Sequence, residues 1–354
     1  MRVYLHGLST ALPPHILDQS DVRARAEMLF GGRYPQFDRL ARTFETAGIV
    51  KRHSVVPIDW FARDHGWADR NAAFLDGGTA LFIDAARRAL DAAGWTGADV
   101  DCVVTVCSTG IATPSLEARA FTDMGFRDDV MRVPVFGLGC AGGVSGLSLA
   151  QSLAAARPGA RVLLVVVETC SLAFRTDRLQ KADIIATVLF GDGAAAACLS
   201  TDRPGGGPVV TLGRGHQKIW ADTLDIMGWE VDGTGFGVIF DRAIPAFVTA
   251  EFAAATEGAL RAANLDRDDI ARFVCHPGGA KVVEAIESAL DLTPGVLDAE
   301  RAVLRDAGNM SAPTVMFVMK AVIDAGTTGQ MVGCALGPGF TAAFLPFHVA
   351  AEAP

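Results

Sequence analysis

The chain has 354 residues, half of them apolar and 20% charged, a composition that excludes a disordered protein and calls for a large buried core. Basic residues number 31 against 40 acidic ones, a net charge of −9, so no basic face covers the molecule and nucleic acid is not an expected partner. The longest strong apolar run, Val162 to Val167, falls far short of the roughly 18 to 20 residues that cross a bilayer, so no transmembrane segment is expected.

The opening MRVYLHGLSTALPP reaches its prolines without the sustained apolar segment of a secretory signal, and a cytoplasmic address is expected. Seven cysteines without CxxC pairs read as reduced thiols. Cys102 and Cys107 lack the matching Cys or His pair that zinc would require.

Short β-branched runs alternate with Ala- and Leu-rich stretches through the chain, the pattern of an α/β fold with buried strands. In chain order, a helix is expected over 79–94, a strand over 101–107, a helix over 142–156, and strands over 160–168 and 193–200. After the linker RPGGGP, a strand is expected over 272–276, a helix over 280–290 and a strand over 330–336. The linker divides the chain into halves, 1–203 and 204–354, with the same order of parts. In each, a Gly-rich or Gly-Asn lead-in precedes a small-residue helix, a strand, a Gly turn and a second apolar strand. A duplicated α/β unit would bring the two lead-ins to comparable places about a pseudo-twofold axis.

Cys140 occupies the first lead-in, GLGCAGGVSG. A thiol at a helix amino terminus feels free N–H groups and the helix dipole, which favour thiolate. The plain alternative is a small buried hydrophobe, the commonest use of cysteine. His276 ends a strand and opens HPGG, at the sheet edge where α/β proteins hold ligands. Asn309, in DAGNMS, read alone is a helix cap. Together the three supply a nucleophile, a base and a neutral amide donor.

These residues carry a resemblance. GCAGGVSG around Cys140, VLFGDGAAA (188–196), HPGGAKVVEAIE (276–287), DAGNMSAPTVMF (306–317) and GPGFTA (337–342) resemble, in order and across nearly the whole chain, the type III polyketide synthases, the chalcone-synthase-like branch of the thiolase superfamily. MGWEVDGTGFGVIFDRAIP (227–245) is similar to the bacterial enzymes that make alkylresorcinols and alkylpyrones.

The resemblance implies a five-layered αβαβα thiolase fold from two duplicated halves, a homodimer, malonyl-CoA as extender, an acyl-CoA starter and no metal or redox cofactor. Cys140 would carry the growing chain. His276 and Asn309 would hydrogen-bond the malonyl thioester carbonyl and stabilise the enolate left by decarboxylation, and His276 would pair with Cys140 to hold a thiolate.

It also implies binding residues. Phe190 matches a gatekeeper between the CoA tunnel and the cavity, and Val238 stands where plant enzymes carry a second gatekeeping Phe, so a smaller side chain there would leave room. Thr113 matches a side chain that crosses the dimer interface. Ser108, Cys170 and Ala173 match cavity-lining positions, and Gly337, Pro338 and Gly339 the loop at the cavity floor. Arg39, Arg42, Lys51 and Arg52 lie where basic residues meet CoA phosphates at the tunnel mouth, Lys51 and Arg52 being the stronger choices.

The expected activity is iterative condensation on a long-chain fatty acyl starter, then cyclisation to an alkylresorcinol or alkylpyrone. The alternatives are a small aromatic product of tetrahydroxynaphthalene or phloroglucinol type, a single-condensation ketoacyl synthase III, whose His-Gln-Ala-Asn motif is replaced here by HPGG, and an acyl-binding subunit without turnover.

Overall fold

A computed structural model describes residues 1–175, 177–178 and 180–350. Nine strands form one hydrogen-bonded path with the order Ile270–Cys275, Gly329–Gly337, Thr341–Ala350, Val209–Leu212, Val3–Ala11, Asp192–Ser200, Val162–Thr169, Cys102–Val106 and Met131–Val135, with His216–Ile219 added beside Thr341–Ala350. Val209–Leu212 joins the two half-sheets: Val210 pairs with Leu5 on one side and with Val349 on the other.

The halves repeat each other. In the first, Cys102–Val106 runs parallel to Val162–Thr169, which is antiparallel to Asp192–Ser200. In the second, Ile270–Cys275 runs parallel to Gly329–Gly337, which is antiparallel to Thr341–Ala350.

Strand alternation sorts the core into three apolar layers around the two half-sheets. Val103, Leu163, Val165, Ala194 and Ala196 face outward against the helix Trp67–Ala93, through Phe82, Ala85 and Ala89. Their neighbours Val104, Leu164, Val166, Ala195 and Ala197 face inward, where Val144, Leu147, Val315 and Met319 of the helices Gly142–Ala156 and Thr314–Asp324 meet them. Val274, Met331 and Leu345 of the second half-sheet close the same central layer. Phe273, Val332 and Phe344 face the third layer, under the helices Ile244–Ala262 and Ala280–Ala289. Two helical layers outside, two sheets and one helical layer between them make the five-layered arrangement. Because both faces of each sheet are covered, its central strands Cys102–Val106, Val162–Thr169 and Asp192–Ser200 are buried at every position.

The expected strands and helices are present, with shifted ends. The helix expected from residue 79 starts at Trp67. Gly77-Gly78 breaks its periodicity in sequence, but burial of Phe74, Leu81 and Phe82 outweighs the roughly 1 kcal/mol that each glycine costs a helix. Elements absent from the sequence reading include Val3–Ala11, the helices Gln19–Phe30 and Phe37–Thr46, and the hairpin Met227–Val231/Phe236–Phe240.

The two central helices meet at Gly143. A side-chain carbon there would stand 2.2 Å from the Ala312 carbonyl oxygen and 2.7 Å from Val315 Cγ1. Replacement Gly143→Ala is therefore expected to cost about 1–3 kcal/mol in urea denaturation. Gly205→Ala, with nothing within 4 Å, should leave stability within about 0.5 kcal/mol.

Candidate active site

The two lead-ins do converge. Gly139–Ala141 forms a single tight turn that feeds the helix Gly142–Ala156, and Asn309 lies between the helix Asp298–Ala307 and the helix Thr314–Asp324. His276 follows the last residue of Ile270–Cys275, its backbone N–H donating 2.8 Å to the Cys334 carbonyl. Cys140, His276 and Asn309 line one chamber, together with Phe190, Met227, Trp229, Val238, Phe240, Ser311 and Pro338.

Backbone pairing fixes Asn309. Its N–H donates 2.8 Å to the Leu189 carbonyl, and its carbonyl accepts 3.0 Å from Gly191 N–H, a parallel bridge that sets it beside Phe190. Its Oδ1 accepts 2.8 Å from Ser311 N–H, and Nδ2 donates 3.1 Å to the Gly278 carbonyl. Since only an oxygen can accept from Ser311, the amide orientation is determined. One N–H of Nδ2 is engaged and the second is free to donate into the chamber.

Burial acts against the charged forms of both the nucleophile and the imidazole. Burial pushes the Cys140 thiol up to about 11; a hydrogen bond from Ser311 opposes this, and the Glu168 charge adds to it. Burial also pulls His276 down to about 4, and neither ring nitrogen has a hydrogen-bond partner. Both shifts run toward the neutral thiol and the neutral imidazole, against the thiolate that a helix start favours. The physical reason is the dryness of the chamber, where removing each charge from water outweighs the favourable setting at the helix start.

Other expected residues divide into those that line the chamber and those that support it. Phe190, Val238, Cys170 and Pro338 line it. Ser108 stands one layer behind, its Oγ accepting from the N–H groups of Gly139 at 3.2 Å and Gly137 at 3.3 Å, so it steadies the turn that presents Cys140. Ala173 is buried nearby without lining the chamber. Gly337 must be glycine for closeness: a side-chain carbon would lie 2.7 Å from both Ala141 Cβ and the Leu138 carbonyl oxygen. Gly339 turns with φ +100°. Thr113 is exposed, outside its own chain's chamber.

Two expectations are corrected. Arg52 is not at a solvent mouth: it is 1% exposed, and its Nη1 donates to the carbonyls of Thr187 and Phe190. Lys51 is half-buried, Arg39 and Arg42 are exposed on Phe37–Thr46, and none of the three lines the chamber. The room expected at Val238 is also taken. Trp229 pairs with Val238 across the hairpin, and its ring stands 6.1 Å from that of Phe190 and 5.7 Å from that of Phe236. Directly paired residues on antiparallel strands share a face, so the facing strand restores the bulk that valine removes.

The sequence reading did not single out Trp229, Ser311, Met227, Phe240 or Glu168. Ser311 has the left-handed φ of +60°, and Glu168 is fully buried behind the site, held by Thr109 Oγ1 at 2.7 Å and Ser108 N–H at 3.0 Å. Burial pushes its carboxyl up to about 8. Among the described residues, no group of three or more His, Cys, Asp or Glu is arranged to hold a metal ion, and no helix is long and apolar enough to cross a membrane.

Comparison with known proteins agrees with this geometry. The chalcone and stilbene synthases match through their N-terminal domain at residues 67–203 and their C-terminal domain at 212–349. The chain belongs to that family. It is a type III polyketide synthase, an acyltransferase of thiolase fold.

The synthase is 40% identical to a 1,3,6,8-tetrahydroxynaphthalene synthase of Streptomyces peucetius subsp. caesius, over 96% of this chain and 91% of that one. It is 33% identical to a putative chalcone synthase of Bacillus subtilis, over 97% and 98%. The crystal structure of the tetrahydroxynaphthalene synthase from Streptomyces coelicolor A3(2), described as a bacterial type III polyketide synthase, superposes with a TM-score of 0.92 at 28% identity, covering 99% of this chain and all of that one.

The upward shift of the Cys140 thiol has a signature. Iodoacetamide should alkylate Cys140 about tenfold faster per pH unit between pH 7 and 9, since thiolate is the reactive form and its fraction rises until the pH reaches the thiol's value. A resting ion pair would instead give a flat profile. Ser311→Ala removes a hydrogen bond that favours thiolate and should slow the reaction at every pH in that range.

Proposed function

We propose that this synthase condenses malonyl-CoA units iteratively on Cys140 and releases a small polyhydroxylated aromatic, of tetrahydroxynaphthalene or phloroglucinol type. In this reading the enzyme works as a cytoplasmic homodimer without metal or redox cofactor. The observation that carries the chemistry is the shared chamber. A nucleophile, an imidazole with both nitrogens unengaged and an amide with one spare N–H line the same space.

The Cys140 sulfur attacks the starter thioester as its proton passes to His276, and the S–C bond to CoA breaks as its thiolate takes that proton, so CoA leaves as the thiol and the imidazole is neutral again. Malonyl-CoA then binds with its thioester oxygen toward His276 and Asn309. When carbon dioxide departs, the electrons of the broken C–C bond pass into an enolate, whose oxygen accepts from both N–H groups. A neutral imidazole is the fitting donor for this oxygen, because it stabilises charge that develops in the transition state without bringing charge into the dry chamber beforehand. The enolate carbon attacks the Cys140 thioester and expels the Cys140 thiolate, leaving a β-ketoacyl-CoA two carbons longer, which returns to Cys140 by thioester exchange with release of CoA before the next round.

Product size is read from Trp229, which with Phe240 and Met227 narrows the side that Val238 alone would open, and from the resemblance to tetrahydroxynaphthalene synthases. One observation favours an alkyl starter as a second reading. A mostly apolar cavity adjoins the chamber, sharing Cys170 and Phe190 with it. Homodimerisation is supported by exposed Ile111 and Phe136, on the loops after the adjacent parallel strands Cys102–Val106 and Met131–Val135. Thr113 lies on the first of these loops.

Purified enzyme given malonyl-CoA alone, and with acyl-CoAs of graded length, should yield an aromatic from malonyl-CoA alone by mass spectrometry. A requirement for a long acyl-CoA would select the second reading. Asn309→Ala and His276→Ala are each expected to slow release of labelled carbon dioxide from malonyl-CoA about 100-fold or more, and unchanged release would remove those residues from the decarboxylation. Trp229→Ala should enlarge the chamber and shift the product mixture to higher mass.

A further inference from the structure

The adjoining cavity has apolar walls from Leu17, Val22, Ala26, Ile58, Phe61 and Phe174, and one buried cation, Arg52. Nη1 of Arg52 is used on the carbonyls that end the helix Lys181–Leu189, a duty that a neutral donor would also fill. Nε and Nη2 have no partner, and among the described residues no carboxylate forms an ion pair with Arg52. Burial pulls the guanidinium down to about 9, which leaves it charged at neutral pH. The other cation of this cavity, Arg25, is satisfied by Asp59 at 2.6 Å.

A buried guanidinium without a counter-ion is costly, and fixed buried charges are ordinarily matched by an opposite one. Because the cavity shares a wall with the chamber at Cys170 and Phe190, its contents lie next to a chain held on Cys140. We propose that this cavity receives the far end of the Cys140-bound chain and that Arg52 selects chains whose far end carries a carboxylate. The substrate class is then an acyl thioester primed by a dicarboxylic unit, malonyl itself being the shortest. Nη1 already bonds the Phe190 carbonyl, so an anion on Nε and Nη2 would also brace the gatekeeper segment.

This inference rests on the polyketide reading above, and the experiment separates the two. Initial rates are measured with malonyl-CoA as extender and either adipoyl-CoA or hexanoyl-CoA as starter, two chains of equal length that differ by the terminal carboxylate. The wild-type enzyme should prefer adipoyl-CoA by about tenfold or more in kcat/KM, the effect of a hydrogen bond to a charged group. Arg52→Met should bring the ratio near one, and Arg52→Lys should restore part of it. Equal use of the two starters by the wild type, or a ratio unchanged in Arg52→Met, would overturn the role of Arg52 while leaving the polyketide activity intact. Absence of any product and of carbon dioxide release with either starter overturns both readings.

Should Arg52→Met fail to fold, the wild-type protein still decides. Its melting temperature is expected to rise with free adipate and not with hexanoate at the same concentration. Equal response to the two acids refutes selection at the far end.

Discussion

The site depends on the way Asn309 is anchored. Its backbone is stitched to the segment that carries Phe190, and its side chain ties Gly278, beside His276, to Ser311. Three stretches of the chain are thereby held in one arrangement by a single residue. A residue confined in this way loses little further freedom when it meets a substrate, which is the physical meaning of preorganisation. Pairing with Leu189 and Gly191 also sets the depth of Asn309 relative to the Phe190 ring.

Dryness governs the chemistry around that anchor. The chamber lies where strands end, beside the hairpin Met227–Val231/Phe236–Phe240, and burial shifts thiol, imidazole and carboxyl alike toward their neutral forms. Such a chamber admits a neutral acyl thioester without clashing with resident charge. When charge then develops on an enolate oxygen, each hydrogen bond is stronger than it would be in water. Arg52 is the exception, a charge kept in a dry place, and its two idle N–H groups set the adjoining cavity apart from ordinary core.

Much of this was legible in the sequence. Apolar runs buried on both faces, the repeated order of lead-in, helix, strand and turn, and the motifs around Cys140, His276 and Asn309 identified the layers and the chemical trio. Misplaced boundaries have local causes. Gly77-Gly78 hid the first 12 residues of the long outer helix, and Val3–Ala11, whose alternating pattern is buried on one face only, lies in a stretch read for its lack of a signal peptide. Ser311 gave no signal, because its left-handed backbone appears only once the chain is folded.

The sequence by itself determined which residues can react and on which elements they ride, since strand and helix periodicities are local and the motifs are contiguous. Tertiary structure alone decided the charge they carry and the space around them. Arg52 reads as a surface cation until the fold buries it, and Val238 as an opening until Trp229, on the facing strand, fills the gap. Both outcomes depend on residues distant in the chain, because desolvation and steric occupancy are set by everything that packs around a group and not by its neighbours in sequence.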